Sequence, residues 1–295
     1  MPQLDAILIA GPTASGKSAF AVDLAERVDG EIINTDSMQV YPVLNVLTAR
    51  PPKEDLERVP HHLYAHVDPR LSYSAAQWVQ HAEAAFSDVT KRGRVPIFVG
   101  GTGLYFMALE EGLSAVPPIP EDVREGVRQE LIDRGAPHMH AKLAQLDPAA
   151  AARLKPGDSH RIARTLEVVL AHGKPLASFH EDDQNSGFLS GKRLQKHLLM
   201  PPRSTLHKRI DQRAGAMLDG GAIDEVRALL ALNLPRDATA LRAIGVSAIG
   251  SYIRGEQSLS ETENLLKTAT RQYAKRQSTW FRNRLGEKWK VHGGQ

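Results

Sequence analysis

Three observations place this chain in the α/β class. A short apolar run passes straight into a glycine-rich turn, β-like runs alternate with helical patterns over the first third of the chain, and a purely helical block then interrupts that alternation before a strand-like run returns. Alternation of this kind implies a parallel sheet flanked by helices, and the interruption implies an inserted all-helical domain.

Taken in order, residues 7–10 read as a buried strand, followed by a helix with Phe20, Leu24, Ala25 and Val28 at helical spacing. Residues 31–34 are the second strand. Ser74 and Gln77 form a capping box, and Trp78, Ala82, Ala85, Phe86 and Val89 give the helix behind it an apolar stripe. Residues 95–99 are the third strand, ending in Gly100-Gly101. Pro117, Pro118 and Pro120 cannot sit inside a helix or central strand, so a boundary falls there. From Glu121 to about Phe179 only helical spacing appears, carried by Val123, Val127 and Leu131, then Leu143 and Leu146, then Ile162, Leu166 and Val169. Residues 193–200 return as a strand, and the remainder is helical, closing with a long helix opened by a capping box at Ser260 and Glu263. The expected domains are 1–117 with 192–295 as the α/β core, and 118–191 as the insertion.

The 295 residues include no cysteine, which excludes disulfides, thiol nucleophiles, Cys-containing zinc sites and cysteine-held Fe–S clusters. No apolar run approaches a membrane span, and residues 4–10 open without a basic leader, so a cytoplasmic chain without membrane contact is expected. The net charge of +3, from 37 basic and 34 acidic residues, says little until the charge is located.

Gly11-Pro12-Thr13-Ala14-Ser15-Gly16-Lys17-Ser18 satisfies G-x-x-x-x-G-K-[ST] and sits where that motif must, between a strand and a helix. The core is therefore expected to be of the P-loop type. The loop's N–H groups and the helix N-terminus suit a di- or triphosphate, Lys17 neutralises it, and the Ser18 hydroxyl can ligate Mg²⁺. A motor or switch NTPase also needs a carboxylate at the end of another strand. The strand at 95–99 ends instead in Gly100-Gly101-Thr102-Gly103, which favours a transferase.

Asp36 follows the second strand, at the carboxyl edge where open α/β sheets bind ligands. It can serve as a metal partner, as a general base, or as the cap of the next turn.

Four segments together resemble the tRNA dimethylallyltransferase family, in its bacterial form. They are the phosphate loop, Asp36-Ser37-Met38-Gln39-Val40-Tyr41, Gly100-Gly101-Thr102-Gly103-Leu104-Tyr105, and the run from Thr270 through Arg271, Gln272, Tyr273, Ala274, Lys275, Arg276, Gln277, Ser278, Thr279, Trp280 and Phe281 to Arg282. The resemblance implies transfer of a dimethylallyl group from dimethylallyl diphosphate to N6 of the adenosine 3′-adjacent to the anticodon. It implies that Gly11, Thr13, Ala14, Ser15, Gly16, Lys17 and Ser18 hold the donor's diphosphate. Asp36 then resembles the base, Thr102 its companion, and Arg213 an arginine on the diphosphate. Mg²⁺ is the implied cofactor and the tRNA anticodon stem-loop the implied partner; a monomer suffices. The absent cysteines match a chain without the zinc finger that eukaryotic members often append.

Positive charge concentrates late: from Lys267 to Lys290 there are eight Lys or Arg against one acid, Glu287. Arg271, Lys275 and Arg282 fall near one helix face, where they can answer phosphates; Tyr273, Trp280 and Phe281 can stack on bases or belong to the core. In the insertion, Arg161 and Arg164 stand one turn apart near a helix start, either on RNA or paired with Asp158 and Glu167. The expected tRNA-binding set is Asp36, Ser37, Met38, Gln39, Thr102, Arg124, His160, Arg161, Arg164, Gly245, Arg271, Lys275, Arg276, Gln277, Trp280 and Arg282.

Two departures from the family pattern stand out. Leu47 occupies a stretch that usually contains glycine, and Val246 and Ser247 replace an aromatic and a basic residue after Gly245. Two other functions stay open on the residues alone. One is a small-molecule kinase with a helical lid, the other an ATP-binding regulatory module without chemistry. Neither needs the Gly100–Gly103 turn or a basic, aromatic final helix.

Overall fold

The computed structural model describes residues 4–114, 116–181, 186–235 and 237–293. In chain order the elements begin with β1 (Ala6–Ala10), α1 (Lys17–Val28), β2 (Gly30–Asn34), α2 (Lys53–Arg58), β3 (His61–His62), α3 (Ala75–Lys91), β4 (Val95–Gly100) and α4 (Gly103–Glu111). The helical block holds α5 (Glu121–Leu146), α6 (Pro148–Arg153), α7 (Ser159–His172) and α8 (Ser178–Glu181). After it come β5 (Leu194–Leu199), α9 (Arg203–Asp219), α10 (Ala222–Ala231), a 3₁₀ turn at Thr239–Arg242, α11 (Val246–Ile253), α12 (Leu259–Arg284) and β6 (Lys290–His292).

The strands form one parallel sheet in the order β3-β2-β4-β1-β5-β6. Every residue of β1 is buried because both faces of the sheet are covered. Ala6, Leu8 and Ala10 join Ile33, Trp78, Phe98 and Phe106 on one side. Ile7 and Ile9 join Ala21, Val22, Ile32 and Ile97 on the other, as the two-residue period of a strand requires. Two short strands escape the hydrophobic pattern, β3 with two residues and β6 with three. Neither has an apolar run, and both are recruited by pairing at the sheet edges, so the strand at Val95–Gly100 is fourth in chain order.

The Ser74 capping box is present, with the Ser74 hydroxyl accepting from Gln77 N at 3.2 Å and the Gln77 side chain from Ser74 N at 2.9 Å. The last helix starts two residues earlier than expected. Its box is Ser258 with Glu261, because Ser258 is the extended residue and Ser260 is already helical; Glu263 pairs instead with Lys267 at 2.7 Å.

The chain divides into two compact units, Glu111–Gly187 and the remainder. The proline run at 117–120 therefore lies inside the second unit. On the return side, Phe188 packs with Phe86 and Phe98, and Leu189 N donates to Leu109 O, so the chain is back on the core before Lys192. Within the helical unit, Val127, Met139, Leu143, Ala150, Ile162 and Leu166 form its own core. Its first helix is broken at Gly135, whose φ of 78° no helix tolerates.

Candidate active site

The ends of β1, β2 and β4 lie side by side, which brings three sequence-distant turns together at the sheet's carboxyl edge. The turn after β1 is the phosphate loop. Gly16 caps α1 with a φ of 90°, and a side chain at Gly11 would stand 2.8 Å from the carbonyl of Leu199. Lys17 begins α1 and is partly buried. Burial pulls its ammonium down to about 8, Asp36 opposes that shift, and Arg213 reinforces it.

After β2, Asn34 is fully buried and braces the turn. Its amide oxygen accepts from Asp36 N at 2.9 Å, its nitrogen donates to the carbonyls of Asp36 and Leu63, and its own carbonyl accepts from the Trp78 indole. Trp78 in turn stacks on Tyr105 with centroids 4.0 Å apart. Of the jobs open to Asp36, the structure shows the turn cap, in which Oδ1 accepts from Met38 N at 2.9 Å, and it leaves the carboxylate facing the cavity described below.

After β4, the glycines have a physical cause. A Cβ on Gly100 would overlap the Thr35 backbone at 1.9 Å, one on Gly101 would meet the Gln277 amide at 2.2 Å, and one on Gly103 would meet the Trp280 ring at 2.3 Å. The same crowding leaves no space for an acidic side chain at Gly100. Thr102 Oγ1 accepts from Ser37 N at 3.0 Å. Thr102 therefore holds the turn that carries Asp36 and does not itself line the cavity.

One cavity of about 280 Å³ is lined by the turns after β1 and β2 and by α9 and α12. Thr13, Lys17, Ser18 and Arg213 mark its polar end, Asp36, Tyr273 and Arg276 its middle, and Leu47, Met217, Ile244 and Leu266 an apolar end. The polar end is built by α9. Arg213 donates to Thr13 Oγ1 at 3.3 Å, and Arg209, one turn earlier, donates to the carbonyls of Ala14 and Ser15 at 3.2 and 3.1 Å. Sequence reasoning passed over Arg209; its four-residue spacing from Arg213 was the available signal. Ala14 itself packs on Leu206, Ile210 and Ala274, so α9 and α12 both seat the loop.

Several expected tRNA-binding residues have other positions. Gln277 is buried, with Oε1 accepting from Thr13 N at 2.8 Å and Nε2 donating to Gly101 O at 2.9 Å. It ties the phosphate loop to the glycine turn, and it occupies a loop N–H that the motif alone would offer to an anion. Arg271 makes a two-pronged pair with Asp211 at 2.5 to 3.1 Å, because α9 faces α12 there. Gly245 starts α11 with a φ of 99°, packed under Leu47 and Leu266. Gln39 donates to Thr48 O and Ala49 O, Phe281 is core, and Trp280 lies half-buried over Gly103. Ser37, Met38 and Gln39 line the cavity, and Lys275, Arg276 and Arg282 are exposed on α12.

In the helical unit, Arg124 pairs with Glu121 at 3.1 Å, Arg161 with Asp158 at 3.6 Å and Arg164 with Glu167 at 3.5 Å. His160, Arg161 and Arg164 nonetheless line one shallow depression together with Arg153.

Among the described residues no three His, Cys, Asp or Glu side chains converge to hold a metal. A magnesium ion fits this donor set as diphosphate sites commonly hold it, through the Ser18 hydroxyl and the ligand's own oxygens, because it keeps several waters and rarely needs a full protein cage. No helix among the described residues is long and apolar enough to cross a membrane.

The "IPP transferase" family model matches residues 39–284, and the "Isopentenyl transferase" model residues 4–72. The chain is 51% identical over 287 residues to the tRNA dimethylallyltransferase of Agrobacterium fabrum, covering 97% of this chain and 95% of that one. It is 53% identical over 283 residues to that of Nitrobacter hamburgensis, covering 96% and 89%. Among solved structures it resembles the full-length tRNA isopentenylpyrophosphate transferase of Bacillus halodurans, with a TM-score of 0.70, 34% identity and coverage of 98% and 90%. It also resembles a eukaryotic dimethylallyltransferase acting on tRNA, with a TM-score of 0.78, 28% identity and coverage of 95% and 70%.

Proposed function

The chain belongs to the tRNA dimethylallyltransferase family and is a prenyltransferase acting on tRNA; from that premise we propose that dimethylallyl diphosphate is its donor and N6 of the adenosine 3′-adjacent to the anticodon its acceptor. The observation that carries this assignment is the single cavity in which Lys17, Ser18 and Arg213 stand at one end, Asp36 in the middle and an apolar wall at the other. The relatives and solved structures that the chain resembles, all named as tRNA prenyltransferases, do not favour a kinase. The cavity's other end is largely apolar, with Arg242 beside Ala243 and Ile244 in the lining.

In the proposed reaction the diphosphate lies against Lys17, Ser18 and the Thr13 hydroxyl, with Arg213 over it and Arg209 holding the loop in shape. The base is swung out of the anticodon stack into the cavity, since its amine is unreachable inside the loop. The adenine amine is a weak nucleophile because its lone pair is delocalised into the ring. Asp36 accepts a proton from N6 as the N6–C1 bond forms, and the C1–O electron pair leaves with the diphosphate. The cations at the polar end stabilise the charge that gathers there. Magnesium, when bound, supplies further neutralisation of the same oxygens. The tRNA backbone lies against the exposed cations Lys275, Arg276 and Arg282, and the depression with His160, Arg161 and Arg164 offers the helical unit its own phosphate contacts. Gln277 and Arg271 are left out of the RNA face because their side chains are already engaged.

The test is incubation of the folded protein with unmodified tRNA and labelled dimethylallyl diphosphate, followed by nuclease digestion, with ATP hydrolysis followed in parallel. Label should appear in a single modified adenosine next to the anticodon, with diphosphate released one for one and no ATP consumed. Label at another nucleotide would overturn the position, and turnover of ATP alone would restore the kinase.

A further inference from the structure

We propose that Leu47 measures the donor's hydrocarbon tail, closing the cavity so that a five-carbon diphosphate ester fits and a ten-carbon one does not. This rests on the prenyl-transfer reading above and adds to it the residue that sets donor size.

The direction of the tail follows from α9. Arg209 and Arg213 face the phosphate loop, and Met217, one turn further on, lines the apolar end. Four helical residues advance about 6 Å. On α12 the same order recurs, with Gln277 at the phosphate loop and Thr270 and Leu266 progressively further from it. A donor anchored by its diphosphate therefore points its tail at Met217, Leu266, Ile244 and Leu47. These residues converge. A Cβ added to Gly245 would lie 2.8 Å from Leu47 Cδ1 and 2.9 Å from Leu266 Cδ1, so both leucines bear on the glycine at that end of the cavity. From its C1, a dimethylallyl tail extends through three carbon–carbon bonds of about 1.5 Å each, whereas a geranyl tail extends through seven. The first stops within one helical turn and the second runs into Leu47.

The wall is also held in place. Glu225 accepts from Val46 N at 2.7 Å and Leu47 N at 3.0 Å, while the Gln39 amide donates to the carbonyls of Thr48 and Ala49, each at 2.9 Å. The backbone carrying Leu47 is thus pinned from both sides, and Leu47 itself is buried. A side chain that cannot retreat can exclude; a mobile one would only discourage.

The experiment compares kcat/KM for transfer to tRNA from dimethylallyl diphosphate and from geranyl diphosphate, in the unaltered chain and in Leu47→Ala, Met217→Ala and Leu229→Ala. Leu229 is buried in the same apolar cluster without lining the cavity, so it controls for lost packing. Leu47→Ala should raise the geranyl-to-dimethylallyl ratio about tenfold or more, and Met217→Ala should move it the same way by less. Leu229→Ala should leave it unchanged. Equal use of both donors by the unaltered chain overturns the assignment. So does an unchanged ratio in Leu47→Ala that still transfers the five-carbon group. Should Leu47→Ala fail to fold, an unchanged ratio in Met217→Ala decides against the wall. Transfer of neither donor by the unaltered, folded chain would instead remove the prenyl-transfer reading beneath it.

Discussion

Gln277 and Thr13 are 264 positions apart, and the side-chain oxygen of the first accepts the backbone N–H of the second at 2.8 Å. The other end of the same amide donates to Gly101 O, so one buried side chain on the last helix joins the phosphate loop to the glycine turn. Gln277→Leu removes both partners and leaves the buried Gly101 carbonyl unpaired, at about 1–3 kcal/mol, and the part-buried Thr13 N–H unpaired at less. Thermal unfolding should show the loss, and KM for the donor should rise. The salt dependence of tRNA binding should stay as it was; a flatter slope would return Gln277 to the RNA face.

Asp36 divides its carboxylate between the Met38 N–H and the cavity. Asp36→Asn retains an oxygen for the turn and removes the proton acceptor. Its kcat should fall by roughly 10²- to 10⁴-fold with tRNA affinity nearly unchanged. Filter binding beside single-turnover kinetics separates the two, and lost RNA binding would make Asp36 a positioning group.

Burial holds the free Lys17 ammonium near 8, whereas the ordinary lysine value is 10.5. A bound diphosphate favours the charged form and raises that value, so binding takes up a proton above about pH 8. Diphosphate affinity should be flat below that pH and weaken above it by up to about tenfold per unit. The same depression gives a stability term of definite sign. Between 8 and 10.5 the unfolded chain holds the proton that the folded chain has lost, so this group's contribution to stability rises with pH across that window. Calorimetric titration in buffers of different ionisation heat reads the proton uptake directly, and Lys17→Met should abolish it.

Lys275 and Arg282 are exposed and have no acid beside them in the salt-bridge network of the described residues, whereas Arg271 is engaged by Asp211. Lys275→Ala and Arg282→Ala should each lower the slope of log K against log salt for tRNA by about one. Arg271→Ala should change the slope little and lower stability modestly, by up to about 1 kcal/mol, because the pair is more than a third exposed. Equal slope changes for all three would mean that Arg271 releases Asp211 on binding RNA.

How much of this was legible in the sequence depended on range. The phosphate loop could be read because its glycines, lysine and serine act within eight consecutive residues, and the strand before it is a continuous apolar run buried on both faces. The Ser74 box could be read for the same reason, whereas the last helix offered two serines with an acid three residues on, and only the backbone at Ser258 chose between them. The short edge strands β3 and β6 had no pattern to read, since pairing partners and not hydrophobic period make them strands.

By itself the sequence determined the chemistry available: an anion-binding loop, a carboxylate after the second strand, a glycine turn with no acid, and a basic final helix. The tertiary structure alone decided which of those groups remain free to act. Gln277 and Arg271 became internal ties, Arg209 joined the phosphate loop, and Leu47 came to line the cavity. The physical reason is that a side chain's availability depends on its partners in space. Those partners come from turns and helices tens to hundreds of residues away, brought together by the parallel sheet and by the packing of α9 on α12.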